Sequence, residues 1–325
     1  QLTSLPGLEN AASLQSLYAG DNQLTSLAGL ENATSLTELS AGSNHLISLA
    51  GLENANNMQR MWAAYNQLTS LAGLENATRL TRLSVGSNQL TSLAELSGMK
   101  DLLYLYAADN NISSFLEVPS LPALLVLDLS RNSLSTVSEF FVSPAIEELY
   151  LSENYLSSTT GLISDTLTTL DLSCNRLESL DLSALGEVTG LFINDNLLQD
   201  FESLESAAPS LEVLRVDGNP ANDLEPTLSL LSDSLEYLGI SYGQVGSALT
   251  LSKWKGTLQK LIIRGPIADL ASLAEFERLN YLRLEGCGLD SIAFLHPVLQ
   301  GLSVVSLTNN PFSDISPLED ADIHW

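Results

Sequence analysis

The sequence predicts an α/β solenoid: about fourteen stacked turns, each adding one short strand to a parallel β-sheet on the concave face. The convex face is expected to carry 3₁₀ and irregular segments with some helix. Three observations predict this. The phrase "LTSLAGLENAT" stands at Leu24–Thr34 and recurs unchanged at Leu68–Thr78, with "LISLAGLENAN" at Leu46–Asn56 between them. From Leu14 the chain fits the pattern LxxLxLxxNxL. The ninth slot falls at Asn22, Asn44, Asn66, Asn88, Asn110, Asn132 and Asn154, a strict step of 22. It continues through Asn175, Asn196 and Asn219, degrades to Gly243, Pro266 and Cys287, and ends at Asn310.

Each slot has a physical duty. The LxL portion alternates with period two, so it forms a short strand with its leucines facing inward. The slot-nine Asn replaces hydrogen bonds that the backbone loses as it turns out of the strand. Leu24, Leu27 and Leu30 then recur at period three, as do Leu46, Leu49 and Leu52, which suits a 3₁₀ or irregular coil. Repeats of 23 or 24 residues after Asn196 have room for more helix. Ala19, Ala41, Ala63, Val85 and Ala107 replace leucine at slot six and thin the core locally. No single repeat buries its own leucines, so stability is nearest-neighbour and the ends need caps. No cap module is evident; "LEDADIHW" at the C-terminus either closes the last repeat or marks a cut.

"LLVLDLSRNSL" (Leu124–Leu134), "IEELYLSENYL" (Ile146–Leu156) and "LTTLDLSCNRL" (Leu167–Leu177) match the pattern without departure. These residues resemble the leucine-rich repeat family over nearly the whole chain, and the resemblance implies a horseshoe. The short repeat with a thin outer wall is similar to the internalin-like bacterial subclass, and also to the phosphatase-regulator subclass of eukaryotes. One domain is expected over residues 1–325, with near-identical 22-residue repeats to residue 110 and more divergent repeats of 21–24 residues over 111–325. Gln1-Leu2 match Gln23-Leu24, so the chain opens in mid-repeat and its natural ends are expected to be missing.

Charge narrows the function. Asp and Glu outnumber Lys and Arg by 39 to 13, a surface that repels phosphate backbones and anionic lipid headgroups. No apolar run is long enough to span a membrane. Nucleic acid and membrane insertion are therefore not expected.

Residue chemistry argues against catalysis. His45, His296 and His324 sit beside no concave serine or cysteine, so a nucleophile–base pair lacks its geometry. Asp128 and Asp171 share a slot two repeats apart, with no pocket implied around them. Asp109, Asp195 and Asp217 are acidic, but no loop places several oxygens round one point; no metal or cofactor is expected. Cys174 and Cys287 lie five repeats apart, roughly 24 Å by strand spacing, too far for a disulfide. The sequons at Asn32, Asn76 and Asn111 are read as chance products of the repeat.

What differs between the copies is slots three, five, seven and eight, while "GLENA" at Gly7, Gly29, Gly51 and Gly73 does not change. Those four slots are expected on the concave face, opposite the leucines. Selection for binding would produce this contrast. Drift at exposed sites would also have altered the Glu-Asn pair, unless that pair has a structural duty such as capping the outer turn. Composition points the same way: the four slots hold 10 of 20 aromatics and 7 of 13 basic residues, each about threefold more than their share. Tyr, Trp and Arg dominate binding hot spots.

The expected footprint centres on Arg60, Trp62, Tyr65, Arg82, Tyr104 and Tyr106, flanked by Tyr18. A second cluster comprises Asp128, Glu148, Tyr150, Asp171 and Phe192, with Arg215 beyond. The reading is a non-enzymatic recognition module that binds a protein on its concave face. Similarity to internalin-like repeats implies a bacterial surface or secreted protein. Two alternatives are an intracellular scaffold or regulatory subunit, and a glycan-binding surface on which the aromatic platforms stack sugars.

Overall fold

The computed structural model describes residues 1–138 and 143–314. His324 and "LEDADIHW" lie outside the described residues. Two compact units are distinguished. The first comprises Gln1–Leu156, Thr160–Leu167 and Ala184–Gly186; the second comprises Ser157–Thr159, Thr168–Ser183 and the chain from Glu187 onward.

In the first unit the LxL segments form seven three-residue strands: β1 (Ser16–Tyr18), β2 (Glu38–Ser40), β3 (Arg60–Trp62), β4 (Arg82–Ser84), β5 (Tyr104–Tyr106), β6 (Val126–Asp128) and β7 (Glu148–Tyr150). They pair parallel and in chain order. The fourth-slot residues stay in register throughout, Leu17 with Leu39, Leu39 with Met61, Met61 with Leu83 and so on to Leu127 with Leu149. A slip of one residue would turn this entire row to solvent, so core burial pins the register.

The second unit continues with β8 (Thr169–Asp171), β9 (Gly190–Phe192), β10 (Val213–Arg215), β11 (Tyr237–Ser241), β12 (Lys260–Arg264), β13 (Tyr281–Glu285) and β14 (Val304–Ser306). These too run parallel in order. Strands β11 to β13 lengthen to five residues because slots six and seven also pair there, Ser241 with Arg264 and Arg264 with Glu285.

Period three on the outer wall has its expected cause. Leu30, Ala33 and Leu36 each donate a backbone N–H to the carbonyl three residues earlier, at 3.2, 2.9 and 3.0 Å. Leu24, Leu27 and Leu30 are consequently buried together. Short 3₁₀ segments stand on this wall at Ala94–Leu96 and Phe115–Glu117 in the first unit. The longer repeats of the second unit carry larger ones, such as Ala248–Trp254 and Leu270–Glu275. Among the described residues one α-helical turn, α1, occupies Glu225–Leu228. The slot-six alanines are buried alongside the leucines, so the thinner side chain leaves the core closed.

The slot-nine asparagines bind repeat to repeat. Asn66 Oδ1 accepts the Leu46 N–H at 2.9 Å, while its Nδ2 donates to the Ala41 carbonyl of the preceding repeat at 3.0 Å and to Ala63 of its own turn at 3.2 Å. Asn44, Asn88, Asn110, Asn132 and Asn154 repeat this set. In the eleventh repeat Gly243 occupies the slot, and the bond passes to its neighbour. Gln244 Nε2 donates to the Val216 carbonyl at 3.1 Å and its Oε1 accepts from Ser241 N–H at 2.7 Å. Cys287 makes the weaker equivalent, Sγ to the Ile263 carbonyl at 3.6 Å.

A second ladder runs along the outer turns, built from "GLENA". Glu31 Oε2 accepts the Gly29 N–H at 2.9 Å, and the same bond recurs from Glu53 to Gly51 and from Glu75 to Gly73. Asn32, Asn54 and Asn76 each donate Nδ2 to the carbonyl of the Glu one repeat back, at 2.7, 3.0 and 2.9 Å. Gly51 has φ +107°, and a Cβ there would stand 2.6 Å from the Leu27 carbonyl oxygen, so the turn excludes a side chain.

Replacing Asn66 with Ala strands the Leu46 N–H and two carbonyls away from water. The expected loss is about 2–4 kcal/mol. Asn54→Ala, on the exposed outer ladder, is expected to cost about 1 kcal/mol or less because water takes over its bond. Urea unfolding of the two variants against wild type measures both.

Candidate binding surface

The period-two pattern of the strands determines which side chains reach solvent. In β2 to β5 the central residue is fully buried, while Glu38 and Ser40, Arg82 and Ser84, and Tyr104 and Tyr106 are part-exposed on the opposite face. Arg60 is exposed and Trp62 half-buried beside the buried Met61. The rings and guanidinium groups predicted to line this face therefore stand away from the leucine interior.

Slot eight departs from the expected alternation. Asp21, Ser43, Tyr65, Ser87, Asp109, Arg131, Glu153, Cys174, Asp195 and Asn309 all have φ between 52° and 58°. Each sits in a left-handed turn beyond its strand, so Tyr65 projects from the strand's exit and not from the sheet itself. Tyr65 is 67% exposed and Tyr18 69%, the most open aromatic residues of the first unit among the described residues.

Charge is distributed unevenly over the first unit's open face. Arg60 Nη2 bonds Glu38 Oε2 at 2.8 Å. The Arg60 guanidinium holds the Glu38 carboxyl below its usual value, and a hydrogen bond from Tyr18 adds to this. Arg131 Nε likewise meets Glu153 at 2.8 Å. Arg82 is different: its guanidinium lies 4.5 Å from the Tyr104 ring centroid and 5.9 Å from that of Tyr106. Trp62 stands in register between two serines, Ser40 and Ser84, so both sides of the indole are flanked by small groups. Beyond this patch, Asp128 accepts the Ser130 N–H at 3.0 Å, and Tyr150 donates its hydroxyl to Glu148 at 2.7 Å.

The second unit treats the same slots differently. Arg215 forks onto Asp217, Nε to Oδ1 at 3.0 Å and Nη2 to Oδ2 at 2.7 Å, and Asp217 is fully buried. Arg264 bonds Asp195 and stands 3.0 Å from Asp217; Arg283 bonds Glu285 at 2.7 Å. Burial pulls the Arg215 guanidinium down, but Asp217 outweighs it and holds it above its ordinary value. Slot five also closes here, with Gly239 and Ile262 buried. Phe192 meets Tyr237 edge-on at 6.2 Å, and Asp171 accepts from Ser173. Arg215, expected in a partner footprint, is thus held by its own chain.

A Leucine Rich Repeat family model matches residues 166–188. A leucine-rich repeat protein of Leptospira interrogans superposes over 99% of this chain and 86% of its own, with TM-score 0.73 at 24% identity. An internalin of Listeria monocytogenes does so over 97% of this chain and 88% of its own, with TM-score 0.70 at 18% identity. The chain has a leucine-rich repeat fold. A plant peptide hormone receptor, RGFR1, solved in complex with RGF2, shares the fold over 97% of this chain and 59% of its own, with TM-score 0.56 at 20% identity. No curated protein matches in sequence.

Among the described residues no group of three or more His, Cys, Asp or Glu is placed to hold a metal ion, and no helix is long and apolar enough to cross a membrane. His45 and His296 are exposed, and neither cysteine is in a disulfide. The open hollow of about 880 Å³ beside Tyr242, Val245 and Pro266 lies where proline, lacking a donor, interrupts the asparagine ladder.

Burial and Glu285 push the Cys287 thiol up to about 11, while Cys174 is exposed. At pH 8 a chromogenic disulfide reagent should therefore titrate Cys174 alone in the native protein and both thiols in denaturant. Burial works to raise the Asp195 carboxyl, but hydrogen bonds from Arg264 and Asn194 prevail and hold it below its usual value. A depressed carboxylate stabilises the fold above its unfolded value, near pH 4, and that contribution fades as pH falls through the folded value. Asp195→Asn should flatten the loss of urea stability below pH 4; an unchanged slope would refute the assignment.

Proposed function

We infer that this leucine-rich repeat protein is a non-enzymatic recognition module. Its partner is a protein held on the open sheet face of the first unit, with Arg60, Trp62, Tyr65, Arg82, Tyr104 and Tyr106 at the centre. Tyr18 lies on one side, and Asp128, Glu148 and Tyr150 on the other; Asp171 and Phe192, also in the expected footprint, stand on strands of the second unit. Arg215 is left out of the footprint.

The observation that carries this reading is the exposure of large rings on a strand face whose neighbouring slots are Gly, Ala and Ser. Such rings cost solubility unless something covers them, and they lose little side-chain freedom on binding. The repeat fold itself is typical of protein-binding modules. Likeness to an internalin supports a bacterial surface or secreted setting, and a receptor of this fold seen with RGF2 shows that the architecture accommodates a bound ligand.

The constancy of "GLENA" lends no support, since both its polar residues are tied into the outer ladder. Drift explains that contrast as well as selection does. Ring exposure and arginine placement remain the grounds for the proposal.

Trp62→Ala and Tyr104→Ala should each weaken binding to a captured partner by tenfold or more while leaving the urea midpoint nearly unchanged. Unaltered affinity in both variants, measured by calorimetry, would remove this face from the footprint.

A further inference from the structure

Of the seven basic residues in the four variable slots, five are ion-paired to carboxylates of the same chain: Arg60, Arg131, Arg215, Arg264 and Arg283. Lys260 sits 5.6 Å from the Tyr237 ring. Arg82 alone of the variable-slot arginines makes no ion pair and no side-chain hydrogen bond among the described residues, although the chain carries 39 carboxylates. The nearest candidate in its row, Glu38, is already engaged by Arg60.

The Tyr104 ring holds the guanidinium at 4.5 Å from its centroid through its π face, which leaves the N–H groups without a hydrogen-bond acceptor. A planar fork presented in this way matches a carboxylate bidentately. Register places a second feature beside it. Arg82 opens β4 and Trp62 closes β3, so they are diagonal neighbours on adjacent strands, roughly 7–8 Å apart by backbone spacing. In an extended peptide, residues two apart lie on one side at roughly 6.8 Å.

On the reading given under Proposed function, the geometry points to a specific partner chemistry: an extended peptide segment whose Asp or Glu side chain is forked by Arg82. Two positions away, an aromatic or aliphatic residue of that segment lies against Trp62, in the space left by Ser40 or Ser84. An acidic ligand meets long-range repulsion from this chain, but screening over about 8 Å in physiological salt leaves contact charges in control. On the first unit's open face the surrounding carboxylates then disfavour acidic segments away from Arg82, which makes the arginine a specificity determinant.

The test pans a phage-displayed library of random peptides against the immobilised full chain. Selected peptides should share an acidic residue two positions from an aromatic or aliphatic one. Arg82→Gln should weaken them roughly tenfold or more, and Arg82→Lys should recover only part of that loss. Changing the peptide's acidic residue to its amide should weaken binding to wild type by the same factor and leave Arg82→Gln unaffected, an arm that needs no altered protein to fold. Peptides that require Trp62 yet bind Arg82→Gln as well as wild type overturn the carboxylate inference and leave the binding face intact. Peptides indifferent to both Trp62→Ala and Tyr104→Ala, or an empty selection, overturn the face together with the inference.

Discussion

The buried asparagine ladder is the interaction on which the remainder of this structure depends. A strand of three residues cannot turn away from its sheet without leaving polar backbone groups in an apolar interior. One side-chain amide, with a donor end and an acceptor end, satisfies groups on two successive repeats at once. Asn44, Asn66 and Asn110 are each less than a tenth exposed. An amide in that position links neighbours directionally and adds to the register that burial of the leucine row imposes. The identity of every side chain on the open face follows from the two together.

With the register settled, charge and ring placement become readable along the sheet. In the second unit the arginines of β10, β12 and β13 are matched by carboxylates from the same face, one of them fully buried. That network consolidates the strands and uses up recognition chemistry in doing so. In the first unit the same slots hold tyrosine, tryptophan and an arginine that lies on rings instead of carboxylates. Similar residue types thus serve cohesion in one unit and exposure in the other, depending on whether an acidic neighbour arises two residues along or one strand over.

The outer turns carry a lesson about reading repeats. A phrase copied without change looks like an unused scaffold beside a diversified surface. Here its glutamate and asparagine close hydrogen bonds within and between turns, so their constancy has a mechanical cause. Contrast between constant and variable slots therefore speaks to function only after each constant residue has been assigned its bonds.

The amino-acid sequence by itself determined the repeat, its strand positions, the buried leucine rows and the period-three outer wall, because each rests on spacing along the chain. It also placed Trp62, Tyr104 and Tyr106 on the face away from the core, a matter of strand parity alone. It could not show that slot eight leaves the sheet in a left-handed turn, since Tyr65 and Arg131 there are not residues that announce one. Nor could it show that Gln244 takes over from Gly243, or that Arg215 is claimed by Asp217 while Arg82 is not. Those outcomes depend on distances between side chains that lie a full repeat or more apart in sequence, and only the stacking of the turns brings them within reach.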